Sequence, residues 1–169
     1  MDAFRILLIV PALITAQQQQ CRHADAAAEM GVAPHGHALN VPCPVVSGEN
    51  KGLISSPIVP GTAVYPSLCH CEYVIGADLT GEYATIELTF VKMHIENKCA
   101  SDYVQVKSKT STLTDRLCGD RLPETMKRKV EFPVIVTFAS DADFKSYEGF
   151  ALEYEIIYDN QGAGELMIY

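Results

Sequence analysis

The sequence is short of basic residues. Its 169 residues include 13 lysines and arginines against 21 aspartates and glutamates, which gives a formal net charge of −8. Because proteins bind nucleic acids mostly through Lys and Arg contacts with phosphates, this balance argues against nucleic acids and anionic membrane surfaces as partners. It favours a basic partner or a hard cation instead.

Motifs of catalysis and phosphate binding are also lacking. The sequence contains no H-E-x-x-H, no G-x-S-x-G and no glycine-rich phosphate loop. His94 lies in a run that alternates like a strand, so we interpret it as a surface or edge residue rather than as a general base. Ser, His and Asp residues are present, but a catalytic triad is defined by geometry and not by composition. The sequence therefore predicts a protein that is not an enzyme.

Hydrophobic runs of membrane-spanning length are absent as well. The longest, Ile6–Ala16, has 11 residues. At about 1.5 Å per residue it is too short to cross about 30 Å of hydrocarbon, but it has the length of a secretory signal peptide. We therefore expect residues 1–16 to be a signal peptide, removed before Gln17, and the mature chain to be secreted. A buried N-terminal segment is the alternative.

Six cysteines are present: Cys21, Cys43, Cys69, Cys71, Cys99 and Cys118. An even number in an exported chain indicates disulfides, whose pairing the count alone leaves open. A zinc site that combines Cys69-His70-Cys71 with His35-Gly36-His37 is the alternative. The C-x-C spacing is not the usual one for zinc ligands, and an oxidising compartment removes the thiolates, so disulfides are favoured.

Alternation of apolar and polar residues dominates the chain after Cys43. It marks four segments, Thr85–Glu96, Asp102–Val106, Val130–Phe138 and Phe150–Tyr158. Pro and Gly separate such segments, and none of them keeps a helical period. The pattern predicts an all-β protein built as an antiparallel β-sandwich.

The two ends of the chain lack this pattern. Residues 17–42 form a low-complexity leader with a glutamine run, which we expect to be anchored only through Cys21. A short helix that begins at Asp25 is the alternative. Residues 159–169 form a short tail, so the predicted β-domain spans residues 43–158.

Several short motifs follow Cys43 in a distinctive order. They are Gly52-Leu-Ile-Ser-Ser-Pro57, Tyr65-Pro66, Cys71-Glu-Tyr73, Cys99-Ala-Ser-Asp102-Tyr, Leu117-Cys118-Gly119, Phe138-Ala-Ser-Asp141 and Gly149-Phe150. In this order and spacing, residues 43–158 resemble a CUB domain, an extracellular module of complement proteases, tolloid-type proteases and spermadhesins. The resemblance implies a disulfide-stabilised β-sandwich of the jelly-roll type. Tyr73 departs from the family, which usually has Trp there.

The resemblance also implies two disulfides, Cys43–Cys71 and Cys99–Cys118. The remaining Cys21 and Cys69 are additional to the family pattern and would tie the leader to the sandwich. Because Cys69 and Cys71 would share one face of a strand, a Cys43–Cys69 pairing remains an alternative.

Three carboxylates lie at predicted strand ends. Glu96 ends one strand, Asp102 opens the next, and Asp141 follows the third. Together at one edge of a sandwich they would repel one another, and a hard cation such as Ca²⁺ would relieve that repulsion. The resemblance implies the same three residues as calcium ligands, with a backbone oxygen from Asp143 and support from Tyr65. Strand ends that are merely solvated are the alternative.

A secreted, non-catalytic binding module is the function that the resemblance implies. In calcium-binding members, the site carboxylates also receive a Lys from the partner, and the acidic charge of this chain suits a basic segment. We therefore expect calcium-dependent recognition of a Lys-containing protein. Phe144 stands where many of these members have Asn, so that side-chain oxygen is missing. Alternatives are an accessory or regulatory chain of a secreted protease, a fragment of a metalloprotease, and a glycan-binding module like some spermadhesins.

Overall fold

The computed structural model describes residues 20–23, 39–46, 49–143 and 145–158. The predicted signal peptide (residues 1–16), most of the leader, the tail (residues 159–169), the His35-Gly36-His37 motif and Phe144 lie outside the described residues. Among the described residues, no helix is both long enough and apolar enough to cross a membrane.

Regular structure in the described residues is almost entirely β. In chain order the strands are β1 (Gln20–His23), β2 (Leu39–Pro42), β3 (Lys51–Ser55), β4 (Cys69–Ile75), β5 (Tyr83–His94), β6 (Tyr103–Ser108), β7 (Met126–Glu131), β8 (Val134–Ser140) and β9 (Gly149–Ile157). A short 3-10 helix at Ala77–Leu79 accompanies them. The predicted all-β class is confirmed.

Two antiparallel sheets pack around one core. Their strand orders are β3-β9-β5-β7 and β4-β8-β6, and β1 pairs with β2 as a separate ribbon. Apolar side chains alternate along the strands, so that Ile86 and Leu88 of β5 enter the same core as Val136 of β8. The Phe138 and Phe150 rings meet between the sheets at 5.6 Å. The predicted antiparallel β-sandwich is therefore confirmed.

A β-bulge between Phe90 and Lys92 interrupts the long strand β5. Buried residues alternate regularly up to Phe90, and after the bulge the alternation is shifted by one residue. A bulge opposes two residues to one on the neighbouring strand and thereby changes the face that each following residue occupies. As a result Met93 is buried, whereas His94 is turned away from the core.

The prediction of a single strand over Val130–Phe138 is wrong. Strand β7 pairs with β5 in the first sheet, whereas β8 pairs with β4 and β6 in the second. Pro133 lies between them and has no N–H with which to continue the ladder. The chain therefore crosses from one sheet to the other at this residue.

The leader also departs from expectation. Strands β1 and β2 pair with each other, and Cys21 and Val41 are buried in the core. The Cys21–Cys69 disulfide joins β1 to β4. For these residues, the expectation of anchoring through Cys21 alone is wrong.

The six cysteines form three disulfides, Cys21–Cys69, Cys43–Cys71 and Cys99–Cys118. Strand β4 presents Cys69 and Cys71 on the same buried face. The Cys71 Sγ atom lies 3.6 Å from Cys21 Sγ and 3.7 Å from Cys69 Sγ. The Cys21–Cys69 and Cys43–Cys71 disulfides are thus in contact with each other.

Partial reduction is expected to open the Cys99–Cys118 disulfide separately from the two disulfides that are in contact with each other. Cysteines released at each step can be alkylated, and mass spectrometry with fragmentation of the chain between Cys69 and Cys71 then identifies the partner of each. We expect Cys71 to be linked to Cys43 and Cys69 to Cys21. A Cys43–Cys69 link in freshly purified protein would contradict this pairing. The Cys99–Cys118 link is the internal control, because it lies apart from the other four cysteines in the sequence.

Candidate metal centre

Acidic side chains from both sheets meet at one end of the sandwich. Asp102 immediately precedes β6 and Asp141 immediately follows β8, and these antiparallel neighbours bring the start of one and the end of the other to the same edge. Glu96 follows β5 of the other sheet. Carboxylate oxygens of Glu96, Asp102 and Asp143 lie within 4.8 Å of one another.

Both carboxylate oxygens of Asp102 accept hydrogen bonds. Its Oδ2 accepts a bond of 2.5 Å from the Tyr65 hydroxyl, and its Oδ1 accepts one of 2.8 Å from the Asp141 backbone N–H. The Tyr65 hydroxyl in turn accepts a bond of 3.3 Å from the Glu96 backbone N–H. With 2% of its surface exposed, Asp102 is held in one orientation by these bonds.

Tyr65 is positioned by aromatic packing. Its ring lies edge-on to Phe138 at 5.2 Å and stacks on Tyr147 at 6.3 Å. Its backbone N–H also donates to the Tyr147 carbonyl at 3.0 Å. The Tyr65 hydroxyl thus links the Asp102 carboxylate to the Glu96 backbone, and its supporting role at a metal site stays a prediction.

Glu96 is as deeply buried as Asp102, with only 3% of the residue exposed. Its Oε2 is buried and has no hydrogen-bond partner among the described residues. Its Oε1 contacts the Lys145 ammonium and lies 3.8 Å from the Lys98 ammonium. A buried carboxylate oxygen without a donor is costly unless a cation or another donor reaches it.

The loop after β8 supplies the remaining carboxylate. Asp141 Oδ1 accepts a bond of 3.0 Å from the Asp143 N–H, and Asp143 Oδ2 lies 2.5 Å from the Lys145 ammonium. The resemblance implies the Asp141 carboxylate and an Asp143 backbone oxygen as ligands. In the structure, it is the Asp143 carboxylate that joins Glu96 and Asp102.

Burial and ion pairing shift the pKa values of several side chains in and around this cluster. Burial raises the pKa of Asp102, although the bonds from Tyr65 and Asp141 act in the opposite direction. Burial also raises the pKa of Tyr65, and its bond to Asp102 adds to the rise. The bonds between Lys145 and Asp143 lower the pKa of Asp143 and raise that of Lys145, whose bond to Glu96 raises it further.

The donor set fits calcium. All the converging atoms are carboxylate oxygens, which are the hard ligands that Ca²⁺ prefers. Glu96 belongs to this cluster, and its Oε2 is a ligand atom without a hydrogen-bond partner among the described residues. Glu96, Asp102 and Asp143 are therefore the residues that would hold the ion.

Lys145 is the residue of this centre that sequence reasoning missed. Its position two residues after Asp143 is visible in the sequence, but side chains two apart in a loop have no fixed relation. Nothing in the pattern shows that its ammonium reaches back to Glu96, which is 49 residues earlier.

The zinc site considered as an alternative is not compatible with the disulfides. Sulfur atoms of Cys21, Cys69 and Cys71 are close enough together to hold an ion. All three are disulfide-bonded and so have no thiolate to offer zinc.

Replacing Tyr65 with Phe is expected to lower the free energy of unfolding by about 2 kcal/mol, because a buried carboxylate loses a donor. Calcium binding should weaken as well, since Asp102 loses one of the bonds that orient it. Tyr73→Phe is the matched control, because it removes a 2.8 Å bond to the Ser55 carbonyl. Denaturant unfolding measures the loss of stability in each variant, and calorimetric titration should show that only Tyr65→Phe lowers the calcium affinity. An equal change of calcium affinity in both variants would contradict the supporting role of Tyr65.

Fold and site together define a disulfide-linked β-sandwich with an acidic cluster at one end. A family model described as the CUB domain matches residues 43–154. The chain belongs to the CUB domain family, whose members are extracellular protein-interaction modules without catalytic groups of their own.

Curated relatives are longer proteins. The chain is 31% identical over 112 residues to human Tolloid-like protein 1, and 31% identical over 112 residues to Blastula protease 10 of Paracentrotus lividus. It is 34% identical over 113 residues to protein SpAN of Strongylocentrotus purpuratus. Each match covers 64% of this chain but only 11%, 18% and 17%, respectively, of the relative. The chain thus spans less than a fifth of the length of these proteins.

Solved structures of CUB domains are similar in fold. The CUB1-EGF-CUB2 domains of rat MASP-1 match with a TM-score of 0.51 and 26% identity, over 64% of this chain and 41% of that one. The MASP-1 CUB2 domain bound to Ca²⁺ matches with a TM-score of 0.53 and 22% identity, over 67% of this chain and 98% of that one. At that identity, the second likeness shows the fold alone.

Proposed function

We propose that this chain is a secreted, non-catalytic binding module that recognises a basic, Lys-containing protein segment in a calcium-dependent manner. The observation that carries the proposal is the buried Glu96 Oε2, which has no partner among the described residues and belongs to a carboxylate that clusters with those of Asp102 and Asp143. A lone cluster of exposed acids would need no ion. Only 4% of the Glu96 side chain is exposed, and the Lys145 ammonium contacts its Oε1, so Oε2 is left without a cation or a donor among the described residues.

Each residue of the centre has a separate task in this proposal. Asp102 is fixed by Tyr65 and by the Asp141 backbone, so it presents its carboxylate in one orientation. Glu96 contributes from the other sheet, and Asp143 contributes from the loop after β8. Bound calcium would supply positive charge that these carboxylates share, and it would tie the loop to both sheets.

Recognition of a basic partner follows from the remaining negative charge. Three carboxylates carry three negative charges against the two of a calcium ion, so the occupied centre still attracts an ammonium group. Asp143 is the exposed member of the cluster, whereas Glu96 and Asp102 are buried. A Lys from a partner would therefore approach from the Asp143 side.

An accessory role beside a secreted protease is a second candidate. The observation that favours it is the similarity to Blastula protease 10, of which this chain corresponds to 18%. The described residues bear no feature that favours the glycan-binding alternative, which stays a prediction from the resemblance.

Binding to a panel of synthetic peptides tests the recognition step. Lys-containing peptides should bind the immobilised chain in millimolar calcium and dissociate in chelator, and the same peptides acetylated on Lys should not bind. Glu96→Gln is the control variant that keeps the shape of the side chain. Equal binding in calcium and in chelator, or equal binding of acetylated peptides, would refute the mechanism.

A further inference from the structure

The Lys145 ammonium already makes the contacts that a cation would make. It contacts Glu96 Oε1 and lies 2.5 Å from Asp143 Oδ2, so it joins the carboxylate from the first sheet to the one from the loop. Its backbone N–H also donates to Asp143 Oδ1 at 3.4 Å. The lysine is thus held to the centre by both its main chain and its side chain.

These oxygen atoms belong to the residues that would bind calcium. A divalent ion bound between Glu96 and Asp143 would neutralise most of the negative charge that holds the Lys145 ammonium, and it would lie between the same two carboxylates. Calcium and the Lys145 ammonium therefore compete for the Glu96 and Asp143 carboxylates. The Lys145 side chain is 40% exposed, so a route into solvent is open to it.

We propose that Lys145 is a built-in competitor that sets the calcium affinity of this centre and must swing out before the site is occupied. This inference rests on the proposed function, because it concerns the regulation of the same site. With Lys145 in place, its ammonium lies between the Glu96 and Asp143 carboxylates, where calcium or a partner's lysine would bind.

The closed state lowers the apparent affinity for calcium in a simple way. An ion that binds only the open form has an apparent dissociation constant equal to the intrinsic one divided by the open fraction. An ion pair to a buried carboxylate keeps that fraction small, because Glu96 would otherwise lose the neutralising contact at its Oε1. Calcium must then outcompete an ammonium that is tethered beside the site.

Lys98 provides a matched control. Its ammonium lies 3.8 Å from the same Glu96 oxygen, but its side chain is 71% exposed and, in the described part of the chain, it forms no ion pair with Asp143. Replacing either lysine by methionine removes one positive charge close to the centre. A difference between the two variants therefore reports the direct contact and not the change in net charge.

Calorimetric titration with calcium chloride should show Lys145→Met binding about tenfold more tightly than the unchanged chain, while Lys98→Met stays within about twofold. Binding by Lys145→Met where the unchanged chain shows none would support the proposal more strongly still. Equal affinities of the unchanged chain and Lys145→Met would overturn the competition and leave the calcium site standing. Absence of binding in both would overturn the site itself, and the competition with it.

Nuclear magnetic resonance of the lysine side chains gives a readout that does not depend on a substitution. With ¹³C-labelled lysine, the Lys145 Cε signal should move toward that of a solvated lysine as calcium is added, and the Lys98 signal should move much less. A Lys145 signal that stays unchanged at saturating calcium would contradict displacement.

Discussion

Asp102→Ala is expected to lower the free energy of unfolding by about 2–4 kcal/mol in chelator and to abolish calcium binding. The reason is that the Tyr65 hydroxyl and the Asp141 N–H both donate to this carboxylate in a buried place, and truncation leaves both donors without an acceptor. If Asp102 served only as a metal ligand, its loss would matter in calcium alone. Urea unfolding with and without calcium measures the two contributions separately.

Asp102→Asn is the companion variant. The amide oxygen can still accept one of the two bonds, and removal of the charge relieves part of the burial cost that raises the Asp102 pKa. We expect Asn to cost about 1 kcal/mol of stability, while calcium binding is lost to the same extent as in the Ala variant. Wild-type stability of Asp102→Ala in chelator would show that the hydrogen-bond network is not the reason for burying this residue.

Gly149→Ala is expected to destabilise the protein by about 3 kcal/mol or more, since it combines a left-handed backbone with a steric clash. Gly149 has a φ of 82° at the start of β9, and a Cβ there would come within 1.8 Å of Ser56 Oγ and 3.4 Å of Tyr65 Cδ1. Ser56 is buried and accepts a 3.2 Å bond from the Phe150 N–H, so it cannot move without breaking that bond.

Gly61→Ala separates the two causes of this loss. Gly61 has a φ of 78°, but nothing lies within 4 Å of the Cβ that would be added. It should therefore cost only the backbone strain, about 1 kcal/mol. Thermal and urea unfolding of both variants give the difference; equal losses would mean that the contact with Ser56 does not constrain the start of β9.

Local sequence patterns predicted the sandwich because each inner face repeats the same alternation. The segment Phe150–Tyr158 alternates cleanly and forms β9. The pattern failed where a topological change left the alternation intact: Val130 and Val134 both look like strand residues, yet the chain changes sheets between them. The bulge in β5 was equally invisible, because a change of face depends on the partner strand.

The sequence predicted where the candidate centre lies in the fold, but not which side chains of the loop after β8 point into it. Strand ends and the family resemblance pointed to Glu96, Asp102 and Asp141, and all three lie at the same end of the sandwich. Which of Asp141 and Asp143 turns its carboxylate inward depends on loop dihedral angles that the sequence does not express. The burial of Glu96 and the reach of Lys145 depend on packing between distant parts of the chain.

Thermal unfolding at increasing calcium concentrations tests the calcium centre. The melting temperature of the wild-type chain should rise with calcium but not with magnesium, with half-saturation at about 10⁻⁴–10⁻³ M or weaker where Lys145 competes. At about 100 times the dissociation constant the added stability would be about 2.7 kcal/mol. Glu96→Gln should show no such rise. A melting temperature that calcium leaves unchanged in both the wild-type chain and Lys145→Met, or raises equally in Glu96→Gln, would contradict a metal centre at Glu96, Asp102 and Asp143.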